Sequence, residues 1–204
     1  MTEKQSKTRP SSEARRKELV EIAYRLIAQK GLEGLRTREV AEVAGIDTGT
    51  FHDHFPSKEA LEQAVVEYLV NDFRANRAAS GGSPVNALDE LRSEVFDITL
   101  RIRQSPEQLL VMLDLSVRAS RDPAVAQILG QMSEGWIGQL SGILTRGVEQ
   151  GLFRPDIDIA TTATLMRGEL IGLGMTGLSQ PGRVEAAAAA LCSQLEMWLA
   201  RRKK

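Results

Sequence analysis

Apolar residues recur along most of the chain at the spacing of one helix face. In the segment after Ser12 they fall at Leu19, Ile22, Leu26 and Ile27, which share one side of a 3.6-residue period. Similar patterns continue to the C-terminal end of the chain, interrupted by glycine, proline and capping residues. The alternation of apolar and polar residues that is typical of strands is rare. The sequence therefore predicts an all-α protein.

The punctuation between these patterns predicts about nine helices. Three short helices precede residue 57, with Thr37 expected to cap the second and Asp47 the third. A connector helix follows from Ser57 to about Arg77, and the small, polar segment 79–84 is predicted to be a loop. Five longer helices are predicted after it, at about residues 85–104, 107–120, 123–149, 157–178 and 183–202.

Residues 37–55 have the side-chain types that a helix-turn-helix requires at each position. Ala41 is small where the two helices must cross, and Gly45 suits the positive φ of a tight turn. Val40, Ile46 and Phe51 are the apolar residues that fix the angle between the helices. We therefore predict a DNA-binding domain at residues 12–56, followed at residues 57–202 by a helical domain that binds an effector and forms a dimer.

The second helix of this motif, at residues 48–54, would enter the major groove of DNA. Threonine hydroxyls on it can bond phosphates or base edges, glycine lets the backbone approach the duplex, and basic side chains at its end suit the sugar-phosphate backbone. Arg38, early in the preceding helix, is long enough to reach a guanine. The candidate DNA contacts are Thr37, Arg38, Thr48, Gly49, Thr50, His52, His54 and Lys58.

Residues 31–61 resemble the DNA-binding domain of the TetR family, the tetracycline-repressor-like regulators. The matching positions are Gly49, Thr50, Phe51, His54, Phe55, Ser57, Lys58 and Leu61. The resemblance implies that Thr37, Thr50, His54 and Lys58 contact phosphates and that Arg38 and Thr48 read bases. Two positions depart from the family pattern: His52 replaces the usual tyrosine, and Asp53 places a carboxylate on the recognition helix.

The charge distribution is uneven although the formal net charge is only −1. Residues 1–17 carry six basic side chains and two acidic ones, and residues 201–204 are all basic. An anionic partner touched by one end of the chain would explain the N-terminal excess, and so would a solvated polar tail. The run Arg15-Arg16-Lys17 could approach a phosphate, whereas the C-terminal run is expected to be a solubilising tail.

The sequence contains no recognisable pattern of catalytic or metal-binding residues. Cys192 is the single cysteine, which excludes an internal disulfide, and its place on a helix predicts a packed side chain. His52 and His54 lie about 200° apart around a helix and cannot chelate together. We expect no cofactor, no metal and no enzymatic activity. No apolar stretch approaches ~20 residues and no secretory signal is evident, so a cytoplasmic protein without membrane contact is expected.

A single copy of the DNA-binding domain at residues 12–56, called the reading head below, binds DNA weakly. We therefore expect a dimer that places two reading heads on a two-fold axis, bound to a palindromic double-stranded operator. The last two helices are the candidates for the interface, and the family resemblance implies a four-helix interface formed by two protomers. Small residues and one apolar face of the last helix supply the candidate contacts: Ala163, Gly168, Gly172, Val184, Ala188, Leu191, Leu195 and Trp198.

The middle helices are expected to enclose a pocket for an apolar or amphipathic small molecule. Its candidate lining is Phe96, Leu109, Met112, Leu113, Trp136, Leu140 and Met166. Five charged residues in the same apolar stretches could orient a polar ligand or pair on the surface, as Asp114 and Arg118 could at i, i+4: Asp97, Arg101, Asp114, Arg118 and Arg167.

These features predict a homodimeric transcriptional repressor that a small-molecule effector releases from its operator by moving the connector helix. Two alternatives remain at this point. The chain could be a helical-bundle protein that binds a small molecule, or an enzyme, without DNA-binding function. It could also be a regulator that activates transcription or answers to a partner protein.

Overall fold

The structure, a computed structural model, describes residues 11–80 and 85–200, and of residues 74–80 the backbone alone. Nine α-helices make up most of this part of the chain, so the predicted all-α fold is confirmed. They are α1 (Ser12–Lys30), α2 (Thr37–Ala44), α3 (Thr48–His54), α4 (Lys58–Ser80), α5 (Ala87–Gln104), α6 (Pro106–Ala119), α7 (Pro123–Glu149), α8 (Ile159–Ser179) and α9 (Val184–Leu199).

Side-chain caps explain where several of the helices begin. Asp47, Asn86, Asp122 and Asp158 each accept hydrogen bonds from backbone amides of the first turn that follows. The prediction that Thr37 caps α2 is wrong, because Thr37 is the first helical residue. The position before it has an extended backbone and makes no capping hydrogen bond with its side chain.

The predicted helix ends differ from the structure by a few residues. α4 continues through Ser80, so the predicted loop began too early, and residues 81–84 lie outside the described part. α9 ends at Leu199, and the basic run 201–204 lies outside that part, as do residues 1–10. Short 3-10 turns at Leu32–Gly34 and Pro181–Arg183 were not predicted, because three residues carry no periodic pattern.

The first of two hydrophobic cores joins the N-terminal helices to the middle of the chain. Side chains of α1 to α4 supply most of it, with Leu19, Phe51 and Phe55 fully buried. Val111 and Leu115 of α6 are buried in the same cluster. α6 is therefore packed against the N-terminal domain and not only against the C-terminal bundle.

The second core lies within the C-terminal bundle. It is formed by α5, α7, α8 and α9, together with Phe153 from the loop after α7. The chain closes this end with an isolated antiparallel bridge between Phe153 and Ala200, and the amide of Arg154 donates to the carbonyl of Leu199. α6 and α7 contact both the N-terminal core and helices of this bundle, so the two parts of the molecule share helices.

Two glycines are required by close packing in this bundle, a role that sequence reasoning did not predict. A Cβ atom placed on Gly147 would lie 1.9 Å from the ring of Phe153, and one on Gly177 would lie 2.2 Å from Ile102. Contacts this short force a neighbour to move. A single sequence does not reveal such positions, since the neighbouring side chains come from distant segments.

We expect Gly147→Ala to lower the free energy of unfolding by about 1–3 kcal/mol, because the added methyl group overpacks the core against Phe153. Gly138→Ala is the matched control on the same helix, since a Cβ atom placed there would have no neighbour within 4 Å. That control should be neutral or stabilise by up to about 1 kcal/mol through helix propensity. Urea unfolding followed by circular dichroism measures both, and equal effects would contradict the packing at Gly147.

Candidate nucleic-acid interface and effector cavity

The turn between α2 and α3 has the geometry that the sequence predicts. Gly45 adopts φ 66° and ψ 34°, the left-handed conformation that favours glycine. The amide of Ile46 donates to the carbonyl of Ala41 at 3.0 Å, which closes the turn. α2 and α3 are thus held as a helix-turn-helix.

Asp47 fixes the start of α3 with two hydrogen bonds from one residue. Its Oδ1 accepts from the amide of Thr50 at 2.9 Å, and its Oδ2 accepts from the Thr50 hydroxyl at 2.8 Å. These hydrogen bonds hold the pKa of the Asp47 carboxyl below its ordinary value. The Thr50 hydroxyl proton is therefore committed to the cap, which the sequence reading of Thr50 as a phosphate contact did not anticipate.

α3 has a buried face and an exposed face. Phe51 and the adjacent Phe55 are buried, with ring centroids 5.9 Å apart. Thr48, Gly49 and His52 lie on the exposed side. This is the arrangement that a recognition helix needs, because the aromatic side anchors it while the other side is open to a groove.

Arg16 anchors the C-terminal end of α3 to α1. Its Nη1 donates to the carbonyl of His54 at 2.7 Å, and its guanidinium lies 4.1 Å from the centroid of the Phe55 ring. The neighbouring cations also have partners, since Arg15 pairs with Glu18 and Lys17 lies 3.8 Å from Glu21. The basic run therefore stabilises α1 and the reading head, whatever it also contributes toward DNA.

The remaining predicted DNA contacts differ in the exposure of their side chains and in the partners that these side chains already have. Arg38 is 82% exposed and pairs with Glu42 across one helical turn at 3.0 Å. Lys58 is about one-third exposed, and its Nζ lies 3.4 Å from the carbonyl oxygen of Leu32 and 3.5 Å from Glu62 Oε1. Thr37 and His54 are half-buried. Lys58 must thus share its charge between these inner partners and any phosphate.

A cavity of about 410 Å³ lies among helices α4 to α8. Four predicted residues line it: Leu109, Met112, Leu113 and Trp136. The other three lie elsewhere, because Leu140 and Met166 are fully buried in the second core and Phe96 is half-exposed on the outside of α5. The α5 positions that face the cavity are Glu94, Asp97, Ile98 and Arg101, which share one helix face from which Phe96 is turned away.

The cavity wall carries two acidic and two basic side chains among apolar ones. Glu94 is buried and accepts hydrogen bonds from Trp136 Nε1 at 3.1 Å and Gln139 Nε2 at 2.7 Å. Arg101 lies over the ring of Phe73, 5.0 Å from its centroid. Asp97 and Arg167 complete the set. Sequence reasoning leaves the roles of Asp97, Arg101 and Arg167 open and does not single out Glu94 or Gln139.

The opposite side of α6 contacts the reading head. Asp114 Oδ2 accepts from the amide of Leu32 at 2.9 Å, in the turn that leads to α2. The i, i+4 ion pair that the sequence left possible between Asp114 and Arg118 is not formed. Arg118 instead lies 3.5 Å from Glu62 and 3.4 Å from Asp122, which draws its guanidinium toward α4 and away from Asp114.

Glu62 is a second link between α6 and α4. Its side chain is 3% exposed and lies between Lys58 of its own helix and Arg118 of α6. Burial raises the pKa of the Glu62 carboxyl, and the two cations oppose that rise. The carboxylate therefore ties the connector helix to α6 at the base of the reading head.

The predicted dimer contacts on α9 mostly face the inside of the protomer. Val184, Ala188 and Leu195 are buried in the second core, and Leu191 and Trp198 pack against it. Val184, Ala188 and Leu195 are therefore covered by α5 and α8 of the same chain, whereas Leu191 and Trp198 keep part of their surface exposed. Ala163 of α8 is fully buried in the same way.

Gly168 and Gly172 do lie on an exposed face of α8, and a Cβ atom placed on either would have no neighbour within 4 Å. Leu165 and Met175 flank them and are 52% and 45% exposed. On α9 the exposed side carries Met197, at 68%, and several alanines. These outward faces, and not the inner face of α9, are available for association.

The described residues were also compared with the requirements of a metal site, a reactive cysteine and a membrane-spanning helix. No group of three or more His, Cys, Asp or Glu side chains there is placed to hold a metal ion. Cys192 is buried, as predicted, and burial raises the pKa of its thiol. Among the helices that the structure describes, none combines the length and apolar character needed to cross a membrane.

Comparison with known proteins agrees with this arrangement. Residues 19–65 match the family model described as bacterial regulatory proteins of the tetR family, and residues 88–200 match that of the C-terminal domain of BetI-type transcriptional repressors. The second match alone spans more than half of the chain. The chain therefore belongs to the TetR family of DNA-binding transcriptional regulators, a family without enzymatic function.

One relative supports the same assignment, and two solved structures share the fold. The HTH-type transcriptional repressor KstR2 of Mycolicibacterium smegmatis is 30% identical over 158 residues, which cover 74% of this chain and 73% of the relative. A structure described as a transcriptional regulator from Saccharomonospora viridis in complex with choline shares the fold, with a TM-score of 0.83 at 24% identity over 94% of this chain and 100% of that one. A TetR regulator from Chloroflexus aurantiacus has a TM-score of 0.82 at 18% identity, covering 94% and 98%.

Replacing the anchor of α3 should separate positioning from direct DNA contact. We expect Arg16→Ala to lower the free energy of unfolding by about 1 kcal/mol, because the hydrogen bond to His54 and the contact with Phe55 are lost. DNA affinity should fall at every salt concentration, while the slope of log affinity against log salt stays unchanged.

Lys17→Ala is the matched control, since Lys17 is a neighbouring, mostly exposed cation on α1. It should leave the stability nearly unchanged. A smaller salt slope for Arg16→Ala at unchanged stability would show instead that Arg16 binds a phosphate directly.

Proposed function

We propose that the chain is a homodimeric repressor that a small molecule in the α4–α8 cavity releases from a palindromic operator. The observation that supports this most directly is the double role of α6. One side of α6 lines the cavity with Leu109, Met112 and Leu113, and other side chains of the same helix contact the reading head. A ligand in the cavity therefore touches the element on which the reading head rests.

We assign DNA recognition to the exposed side of α3 and the start of α2. Thr48 and Arg38 are proposed to read bases, as both are exposed. Gly49, His52 and His54 are proposed to lie against the sugar-phosphate backbone. Thr37 and Lys58 are further phosphate contacts, with Lys58 giving up part of its contact with Glu62 when it binds. Thr50 can donate to a phosphate only when its hydroxyl turns away from Asp47, so it is proposed as a phosphate contact that replaces that hydrogen bond.

The dimer is proposed to form through the outward faces of α8 and α9. Gly168 and Gly172 leave α8 without side chains at two successive turns, which lets a second helix approach closely. Leu165, Met175 and Met197 supply exposed apolar surface on either side. Two protomers related by a two-fold axis would then place two α3 helices on successive half-sites.

We propose a route for the effector signal through α6 to the turn at Leu32. The cavity ligand favours a displaced α6, and the displacement moves Asp114 away from the Leu32 amide. Glu62 and Arg118 carry the same movement to the connector helix α4, which sequence reasoning expected to move. The ligand shifts operator binding only by the difference between its affinities for the two arrangements.

The DNA assignment predicts different effects for two substitutions. Thr48→Val should change base preference at one operator position, at a cost of about 1–3 kcal/mol for the preferred base, because the hydroxyl is lost and the shape is kept. Lys58→Met should weaken binding to all sequences and reduce the salt slope by about one. Fluorescence anisotropy with DNA from the region upstream of the gene, and with single-base variants of it, measures both.

Thr164→Val is the control, since Thr164 is an exposed threonine on α8 whose hydroxyl bonds the carbonyl of Ala160. It should leave base preference unchanged. If Thr48→Val weakened all sequences equally and Lys58→Met altered base preference, the two assigned roles would be reversed.

The coupling route predicts that Asp114→Ala reduces the effector-induced change in operator affinity at least about fivefold, because the link to Leu32 is broken. Asp114→Asn should keep most of the response, since the amide oxygen can still accept from the Leu32 amide. The measurement is operator affinity with and without a saturating effector. A normal response in Asp114→Ala would contradict this route.

A further inference from the structure

We propose that the effector is an anion with an apolar body, of the chemical class of a carboxylate at the end of a hydrocarbon, and that Arg167 binds its charged end. The inference rests on the proposed function, because it names the ligand class for the same cavity. It is carried by one side chain of the cavity wall, Arg167, whose buried Nε atom has no hydrogen-bond acceptor among the described residues.

Arg167 lies on α8 and lines the cavity. Its Nε atom is buried and has no hydrogen-bond acceptor among the residues that the structure describes. A guanidinium remains protonated at any accessible pH, so the charge is not relieved by loss of a proton. A carboxylate suits this group, because it can accept two parallel hydrogen bonds from the planar guanidinium fork.

The other charged groups of the wall are already engaged. Glu94 accepts from Trp136 and Gln139, and the guanidinium of Arg101 lies against Phe73. Asp97 also has an interaction partner. A cationic ligand would have to compete with these contacts and would bring a second positive charge near Arg167. An anionic ligand can instead accept a hydrogen bond from the unsatisfied Nε of Arg167.

The rest of the wall defines the body of the ligand. Leu109, Met112 and Leu113 of α6 face the cavity, together with Leu170 of α8. Methionine adapts to ligand shape, and a volume of about 410 Å³ is in the range of small-molecule sites. Leu170 is one helical turn after Arg167. The hydrocarbon body of a ligand whose carboxylate binds Arg167 would therefore lie against apolar side chains.

The test uses three probes with the same ten-carbon chain: decanoate, decanol and decyltrimethylammonium. Isothermal titration calorimetry measures their binding to the full-length wild-type chain and to Arg167→Met, Arg167→Lys and Arg121→Met. Arg121→Met is the matched control, because Arg121 is exposed and does not line the cavity. Arg167→Lys retains the charge if the neutral variant fails to fold.

We expect decanoate to bind the wild type at least about tenfold more tightly than decanol, as a buried charge-assisted hydrogen bond allows. Arg167→Met should lose that advantage and leave decanol binding within about threefold, while Arg167→Lys keeps part of it and Arg121→Met keeps all of it. Tighter binding of the ammonium probe, unchanged decanoate binding in Arg167→Met, or no binding of decanoate would overturn the inference.

Operator release by the same probes separates this inference from the proposed function. If decanol or the ammonium probe releases the protein from DNA and decanoate does not, the cavity is an effector site and the anionic class is wrong. If decanoate binds through Arg167 and does not release DNA, the ligand class holds and the effector role fails.

Discussion

The hydrogen bond from the Leu32 amide to Asp114 is the contact on which the proposed coupling depends. It connects α6, which walls the cavity, to the turn that leads into the helix-turn-helix. Val111 and Leu115 reinforce the link, since both are buried in the core of the N-terminal helices. Because α6 belongs to both packing units, we propose that a ligand that displaces α6 also displaces the reading head.

The reading head is internally rigid, so a displacement of the domain would reorient α3. The turn at Gly45, the cap at Asp47 and the anchor from Arg16 to His54 hold α3 at its junction, its start and its end. These contacts fix α3 to the rest of the reading head. In the proposed mechanism, a signal that reaches the turn at Leu32 changes the direction of α3 and leaves its own structure unchanged.

Local sequence patterns were sufficient to predict the helices and the helix-turn-helix. They did not predict contacts between segments that are distant in the sequence. Helix periodicity, Gly45 and Asp47 act within a few residues, so the sequence alone identified them. The lining of the cavity depends on how each helix is rotated, which is why Phe96 was misplaced and Glu94 was missed. The apolar face of α9 illustrates the same limit, because a pattern shows that a face is buried and does not show whether the same chain or a partner covers it.

Nuclear magnetic resonance of the Leu32 backbone amide is the decisive measurement for coupling through α6. The amide signal and its hydrogen-exchange rate should be recorded on the free protein and in the presence of a compound that releases it from DNA. We expect a shifted Leu32 signal and faster exchange when the compound is bound, because Asp114 has moved away. Release from DNA with the Leu32 signal and exchange rate unchanged would contradict this coupling.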